Sequence, residues 1–104
     1  MPPSNALHKR KSPALLSEKL LKIRLAVNES QGGILRRMGL DEEFQRDYVS
    51  KWERGIMEPP LHVLLAYADL ANVFLEVLVR DTLQLPENLP LKEKGMGISV
   101  QKKL

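Results

Sequence analysis

The chain has 104 residues, 43% of them hydrophobic, with no cysteine and a net charge of +3 at pH 7. That length holds one domain with a self-sufficient core, and the lack of cysteine excludes disulfides, thiolate catalysis and sulfur-ligated metals. No apolar run approaches the roughly 18 residues that span a bilayer, and the basic N-terminus leads into no signal-peptide core, so the expectation is a soluble cytoplasmic protein.

Charge is unevenly placed. Residues 1–28 carry six Lys/Arg against one acid, residues 29–60 five against seven, residues 61–91 one against four, and residues 92–104 four against one. Basic ends flank a mildly acidic middle, which suits a polyanionic partner and equally suits solvated tails.

Residues 1–13 hold three prolines and the run Lys9-Arg10-Lys11 without apolar periodicity. A flexible basic arm is expected over 1–15, an ordered domain over 16–81, and an extended or disordered tail over 82–104. Ser17 marks a helix start, and Leu16, Leu20, Ile23 and Val27 recur at helical spacing, which predicts a first helix over 16–28. Ser30 caps a second helix that buries Ile34, Leu35 and Met38 and stops at Gly39. Gly32 and Gly33 in its first turn cost about 1 kcal/mol each relative to Ala, so this helix has to lean on tertiary packing. After a loop at 40–43, a third helix is predicted over 45–54, with Val49 and Trp52 inward and Gly55 as its stop. Pro59 and Pro60 open a fourth, with Leu61, Leu64, Leu65, Ala68 and Ala71 as its apolar stripe. A fifth, over 74–81, presents Leu75 and Leu78, with Val79 near its edge. The stretch TLQLPENLP reads as an extended exit, and Ile98 and Val100 alternate weakly with polar residues beyond it. The fold class expected is all-α.

The order of these pieces carries a resemblance. SQGGILRRMGL, followed by YVSKWERGIMEPPLHVLLAYADLANVFLEVL, resembles the Cro/repressor (xenobiotic-response-element, XRE) helix-turn-helix family over roughly residues 16–80. Its sharpest part is VSKWERG with Pro59 four residues after the Gly. The resemblance implies a five-helix repressor-like DNA-binding domain whose third helix enters the major groove. It implies a sequence-specific transcriptional regulator, a repressor, with double-stranded DNA as partner and no cofactor.

Residue by residue, the resemblance places Gln31 on a backbone phosphate at the start of the second helix. Arg54 and the N–H groups of Gly55 and Ile56 fall on a second phosphate clamp after the third. Arg46, Asp47, Tyr48 and Lys51 fall on base-reading positions, and Arg24 with Glu53 on a structural ion pair. Chemistry supports the reading set: Arg46 can fork onto guanine O6 and N7, Asp47 can accept from cytosine N4, and Lys51 can reach a guanine or a phosphate. Arg36 and Arg37, adjacent on a helix, point apart, so at most one reaches the backbone, and Arg36 is assigned. Asp47 and Lys51 also have the spacing of an ordinary stabilising surface pair. Lys9, Arg10 and Lys11 suit an arm that lies across phosphates or enters the minor groove.

Two features depart from the family pattern. About four extra residues, Asp41–Phe44, separate Gly39 from the third helix, and Phe44 is the residue that could staple the longer loop. Leu35 replaces the usual small residue where the second helix packs on the third.

Other functions have less behind them. His8 and His62 are the only imidazoles, and no nucleophile–base set, carboxylate pair or phosphate loop is recognisable, so neither catalysis nor a metal is expected. The rival is a protein–protein module, such as an antitoxin or adaptor on the same fold. One recognition helix covers too few base pairs for a unique site, so a two-fold homodimer is expected, with Leu75, Val79, Leu83 and the tail as contact.

Overall fold

The computed structural model describes residues 13–91 and arranges them as five helices with no strand. They are α1 (Leu16–Ala26), α2 (Gln31–Met38), α3 (Arg46–Glu53), α4 (Leu61–Ala71) and α5 (Leu75–Val79). The arm residues Lys9, Arg10 and Lys11, and the Ile98–Val100 alternation, lie outside the described residues.

One core joins all five. Leu16, Leu20, Ile23 and Val27 from the first segment meet Ile34, Leu35, Val49, Trp52 and Leu78, and Val63, Leu64, Tyr67, Ala68 and Ala71 fill the α4 side. The buried apolar residues of α1, α2 and α3 are those the apolar spacing predicts, except that Met38 is only partly buried. In α4 the predicted stripe holds at Leu64, Ala68 and Ala71, which are buried, and fails at Leu61, which is 62% exposed, and at Leu65, which also faces solvent, while Val63 and Tyr67 are fully buried. The sequence of α4 is apolar on nearly every side, so periodicity alone does not choose a face. Packing does, and it leaves two leucines outside.

Helix ends follow local chemistry where a cap is close in sequence. Ser30 Oγ accepts the Gly33 N–H at 2.9 Å and starts α2, and Gly39, at φ +73°, ends it in the left-handed region that a side chain rarely adopts. The start of α1 is different. Ser17 lies inside the helix, and Leu15 at the N-cap makes no side-chain cap. The carboxylate of Asp81 supplies acceptors instead, from the far end of the domain: its two oxygens take the N–H groups of Ala14 (2.9 Å) and Leu15 (3.0 Å).

The end of α5 depends on the same region. Lys19 is buried, and its Nζ donates to the carbonyls of Val77 (2.7 Å), Arg80 (2.9 Å) and Leu83 (2.7 Å). All three ammonium hydrogens are thereby used. Burial pushes the Lys19 pKa down, opposed by the charges of Asp81 and Glu18. The helix stops at Val79, two residues short of expectation, and Arg80 is extended. Residues 82–91 do more than leave the domain, since Leu85 is buried and Leu89 and Leu91 pack on the core.

The paired glycines of α2 are not equivalent. A Cβ on Gly32 would meet nothing closer than an Arg36 guanidinium nitrogen at 3.8 Å, whereas one on Gly33 would collide with Glu29 Oε1 and stand 3.0 Å from the capping Ser30 Oγ. Gly32→Ala should therefore raise stability by up to about 1 kcal/mol, and Gly33→Ala should raise it less, because the Glu29 carboxylate and the capping Ser30 hydroxyl have to shift to admit the methyl group. Thermal melts of the two variants check this order.

Acid titration gives a second prediction. The two amide hydrogen bonds hold the Asp81 pKa below its ordinary 3.8. Its contribution to stability is thus complete above that ordinary value and is lost as pH falls through the lowered one. Asp81→Asn should flatten the dependence of Tm on pH below about 4 and leave its shape near neutrality unchanged.

Candidate nucleic-acid interface

The residues ahead of α3 decide how that helix is presented. Residues 41–43 make a turn, closed by the N–H groups of Glu43 and Phe44 on the Leu40 carbonyl (both 3.0 Å). Phe44, half-buried, then packs edge-on against Tyr48 (5.1 Å between centroids) and Trp52 (5.2 Å), and stacks on His62 (6.0 Å). A ring in front of the N-cap and two rings on the helix behind it hold the first turn of α3 in place. Glu43 reaches the His62 Nε2 at 3.0 Å, which draws one of the three consecutive acids towards α4. Asp41 and Glu42 stay exposed.

Behind this face lies the ion pair expected between the first and third helices. Arg24 Nε contacts Glu53 Oε2 at 2.6 Å and its second guanidinium arm contacts Oε1 at 3.0 Å. The third arm donates to the Glu29 carbonyl at 3.0 Å. The two side chains are only 15% and 6% exposed, and the bond to Glu53 raises the Arg24 pKa. Gln31 joins as well: its Nε2 donates to Glu53 Oε1 at 3.1 Å. One carboxylate thus ties α1, α2 and α3. Because Glu53 only accepts, it orients the carboxamide nitrogen towards itself, and the second amide hydrogen of Gln31 remains for another acceptor.

On the outer side, Arg36, Arg46, Asp47 and Arg54 are exposed and Tyr48 and Lys51 are half-buried. Lys51 Nζ lies 5.7 Å from the centre of the Tyr48 ring, a cation–π contact within its own helix. Arg37 is taken by Glu29 at 3.2 Å, which separates it from Arg36. Arg54 folds its Nε back on Ser50, at 3.3 Å from the carbonyl and 3.1 Å from Oγ. The N–H groups of Gly55 and Ile56 are engaged inside the turn, on the Trp52 carbonyl (3.2 Å) and the Lys51 carbonyl (3.0 Å). Trp52 is buried, with its Nε1 lacking a partner, as does the Tyr67 hydroxyl.

Sequence reasoning missed Lys19 and Asp81. Lys19 left a trace, since it occupies a core-facing register three residues after Leu16 and four before Ile23. Asp81 left none, because its partners lie 66 and 67 residues away. Among the described residues no group of three His, Asp or Glu side chains could hold a metal, and no helix is long and apolar enough to cross a membrane. Compared with known protein families, curated proteins and solved structures, the chain matches none.

Removing the acceptor of this network should be severe. Glu53→Gln leaves a poorly solvated guanidinium without its counter-charge and should destabilise the fold by about 3 kcal/mol. Pairing it with Arg24→Met should recover most of that loss. A urea-denaturation cycle over the four proteins measures the coupling, and a value near zero would limit the pair to setting geometry.

Proposed function

We propose that the chain is a sequence-specific double-stranded DNA-binding protein of the helix-turn-helix kind, a cytoplasmic transcriptional repressor that reads the major groove with α3. The observation that carries this reading is the carboxylate of Glu53 holding both Arg24 and Gln31. It locks α2 against α3 and sets Gln31 at the start of one helix beside the exposed edge of the other, the arrangement that the resemblance implies for a phosphate contact next to a reading helix.

In this reading the contacts divide by role. Gln31, with its remaining amide hydrogen, and Arg36 and Arg54, with their guanidinium groups, bind backbone phosphates and fix register. Because the amides of Gly55 and Ile56 are engaged within their own turn, Arg54 carries the second clamp. Arg46, at the first turn of α3, reads a guanine; Asp47 beside it and Lys51 one turn on complete the reading set, and Tyr48 supports Lys51 through its ring. Of the acids of the 41–43 loop, Glu43 is drawn towards α4 by its contact with His62, and Asp41 and Glu42 stay exposed.

A two-fold dimer follows from the small footprint of one α3. Leu83 is exposed and Leu75 and Val79 are half-buried, so the α5 side offers apolar area for it. The second reading, a protein–protein module, draws on Phe74, which is 82% exposed at the start of α5.

Binding to a random-sequence duplex at two salt concentrations separates the two readings, since contacts to phosphate weaken steeply with salt. On a selected site, Arg46→Ala should lower affinity by about 1–3 kcal/mol and relax preference at one base pair. Uniform weakening on every sequence would move Arg46 to the phosphate set, and absence of duplex binding at low salt would favour the protein partner.

A further inference from the structure

We propose that Ser50 is a positioning residue for the second phosphate clamp: its hydroxyl holds Arg54 by Nε, so that the two Nη groups meet a DNA phosphate end-on. The proposal rests on the DNA-binding reading above, in which Ser50 itself has no role.

Arg46, Ser50 and Arg54 follow at four-residue intervals, along one line of α3 and its C-cap. Ser50 thus stands between the arginine that reads and the arginine that clamps. Arg54 Nε lies 3.1 Å from Ser50 Oγ and 3.3 Å from the Ser50 carbonyl. That carbonyl already accepts the Arg54 backbone N–H at 3.0 Å, so the hydroxyl is the acceptor that the side chain has to itself. Arg54 is therefore held by its backbone and by Nε on one and the same residue.

The kind of partner sets Arg54 apart. Arg24, Arg37 and Arg80 are each bonded to a carboxylate, that of Glu53, Glu29 and Glu76. Arg54 is held by a neutral hydroxyl, which orders the guanidinium without neutralising it. The bond engages one of its N–H donors, and the hydrogens on both Nη atoms have no partner among the described residues. The side chain is exposed. With Nε engaged, the approach left open is the fork of the two Nη groups onto two oxygens of one phosphate.

A long arginine side chain carries much rotamer freedom, and binding has to remove it. The Ser50 bond removes part of that freedom before DNA arrives. Serine hydroxyls also bond phosphates and bases directly. The two roles differ in one respect: a positioning serine stops mattering once Arg54 is gone, and a contacting serine does not.

The test is the affinity for a fluorescein-labelled random-sequence duplex across a salt series. The proteins are the wild type, Ser50→Ala, Ser50→Thr, Arg54→Ala, and Ser50→Ala combined with Arg54→Ala. Alanine is a better helix former than serine, so Ser50→Ala keeps α3. Arg54→Ala should lower the slope of log affinity against log salt by about 0.9, the share of one phosphate. Ser50→Ala keeps the charge, so its slope should match the wild type while affinity falls about two- to tenfold at every salt concentration. Ser50→Thr retains the hydroxyl and should recover most of that loss. In the Arg54→Ala background, Ser50→Ala should have no further effect. In the free protein, hydrogen exchange at Arg54 Nε should be faster in Ser50→Ala than in the wild type, a readout that needs no DNA.

An equal loss from Ser50→Ala with and without Arg54 would overturn the proposal, since the hydroxyl would then act on DNA itself. Unchanged or raised affinity in Ser50→Ala would overturn it as well, as would unchanged exchange at Nε. Each of these leaves the DNA-binding reading standing. A wild type that binds no duplex at low salt would instead remove that reading, and this proposal with it.

Discussion

Glu53 sits at the end of α3 with its carboxylate almost wholly removed from water, and it accepts hydrogen bonds from Arg24 on α1 and Gln31 on α2. A carboxylate in such a place is costly unless its lone pairs are filled. Here a forked guanidinium fills both oxygens and a carboxamide adds to one of them, and the guanidinium in turn closes the Glu29 carbonyl. Such a group tolerates only one relative placement of three helices. Apolar packing between α2 and α3 would allow small slides and rotations; the directional bonds at Glu53 do not. The exposed edges of α2 and α3 therefore hold a fixed relation to each other, and the proposed contacts to phosphate and bases depend on that relation.

The inserted residues ahead of α3 test how robust this arrangement is. Extra loop length alone would loosen the connection, because closing a longer loop costs little but orders less. The Phe44 ring restores the order by entering the Tyr48–Trp52 cluster and covering His62. Leu35, where a smaller residue would be usual in the resembled family, is fully buried in the same core. Phe44 and Leu35 thus pack on one core, while Asp41, Glu42 and Glu43 stay exposed.

A second tie runs between α1 and the far end of the domain. Lys19 and Asp81 exchange roles as caps: the lysine of α1 fills the carbonyls around the end of α5, and the aspartate after α5 fills the amides ahead of α1. Each satisfies backbone groups at a helix end or just beyond it. This explains why α5, only five residues long, keeps a defined end, and why residues 82–91 stay on the core through Leu85, Leu89 and Leu91.

What the sequence determined by itself is the set of helices and the chemistry of their near ends. Local spacing marked Leu20, Ile23, Ile34, Val49 and Trp52 as inward-facing, and the Ser30 cap and the Gly39 stop are legible because donor, acceptor and backbone conformation lie within a few residues. The Arg24–Glu53 pair was legible only through resemblance, since nothing in either local segment points to the other. The tertiary structure alone decided the rest. It chose the face of α4, where Val63 and Tyr67 go in and Leu61 and Leu65 stay out, because a helix apolar on nearly all sides carries no phase. It brought Gln31 onto Glu53 and left Lys51 over Tyr48 instead of against Asp47. It also turned Lys19 inward and Asp81 back onto Ala14 and Leu15. These are contacts between polar groups far apart in the chain, and periodicity reports which residues avoid water, not which distant backbone groups still need a partner.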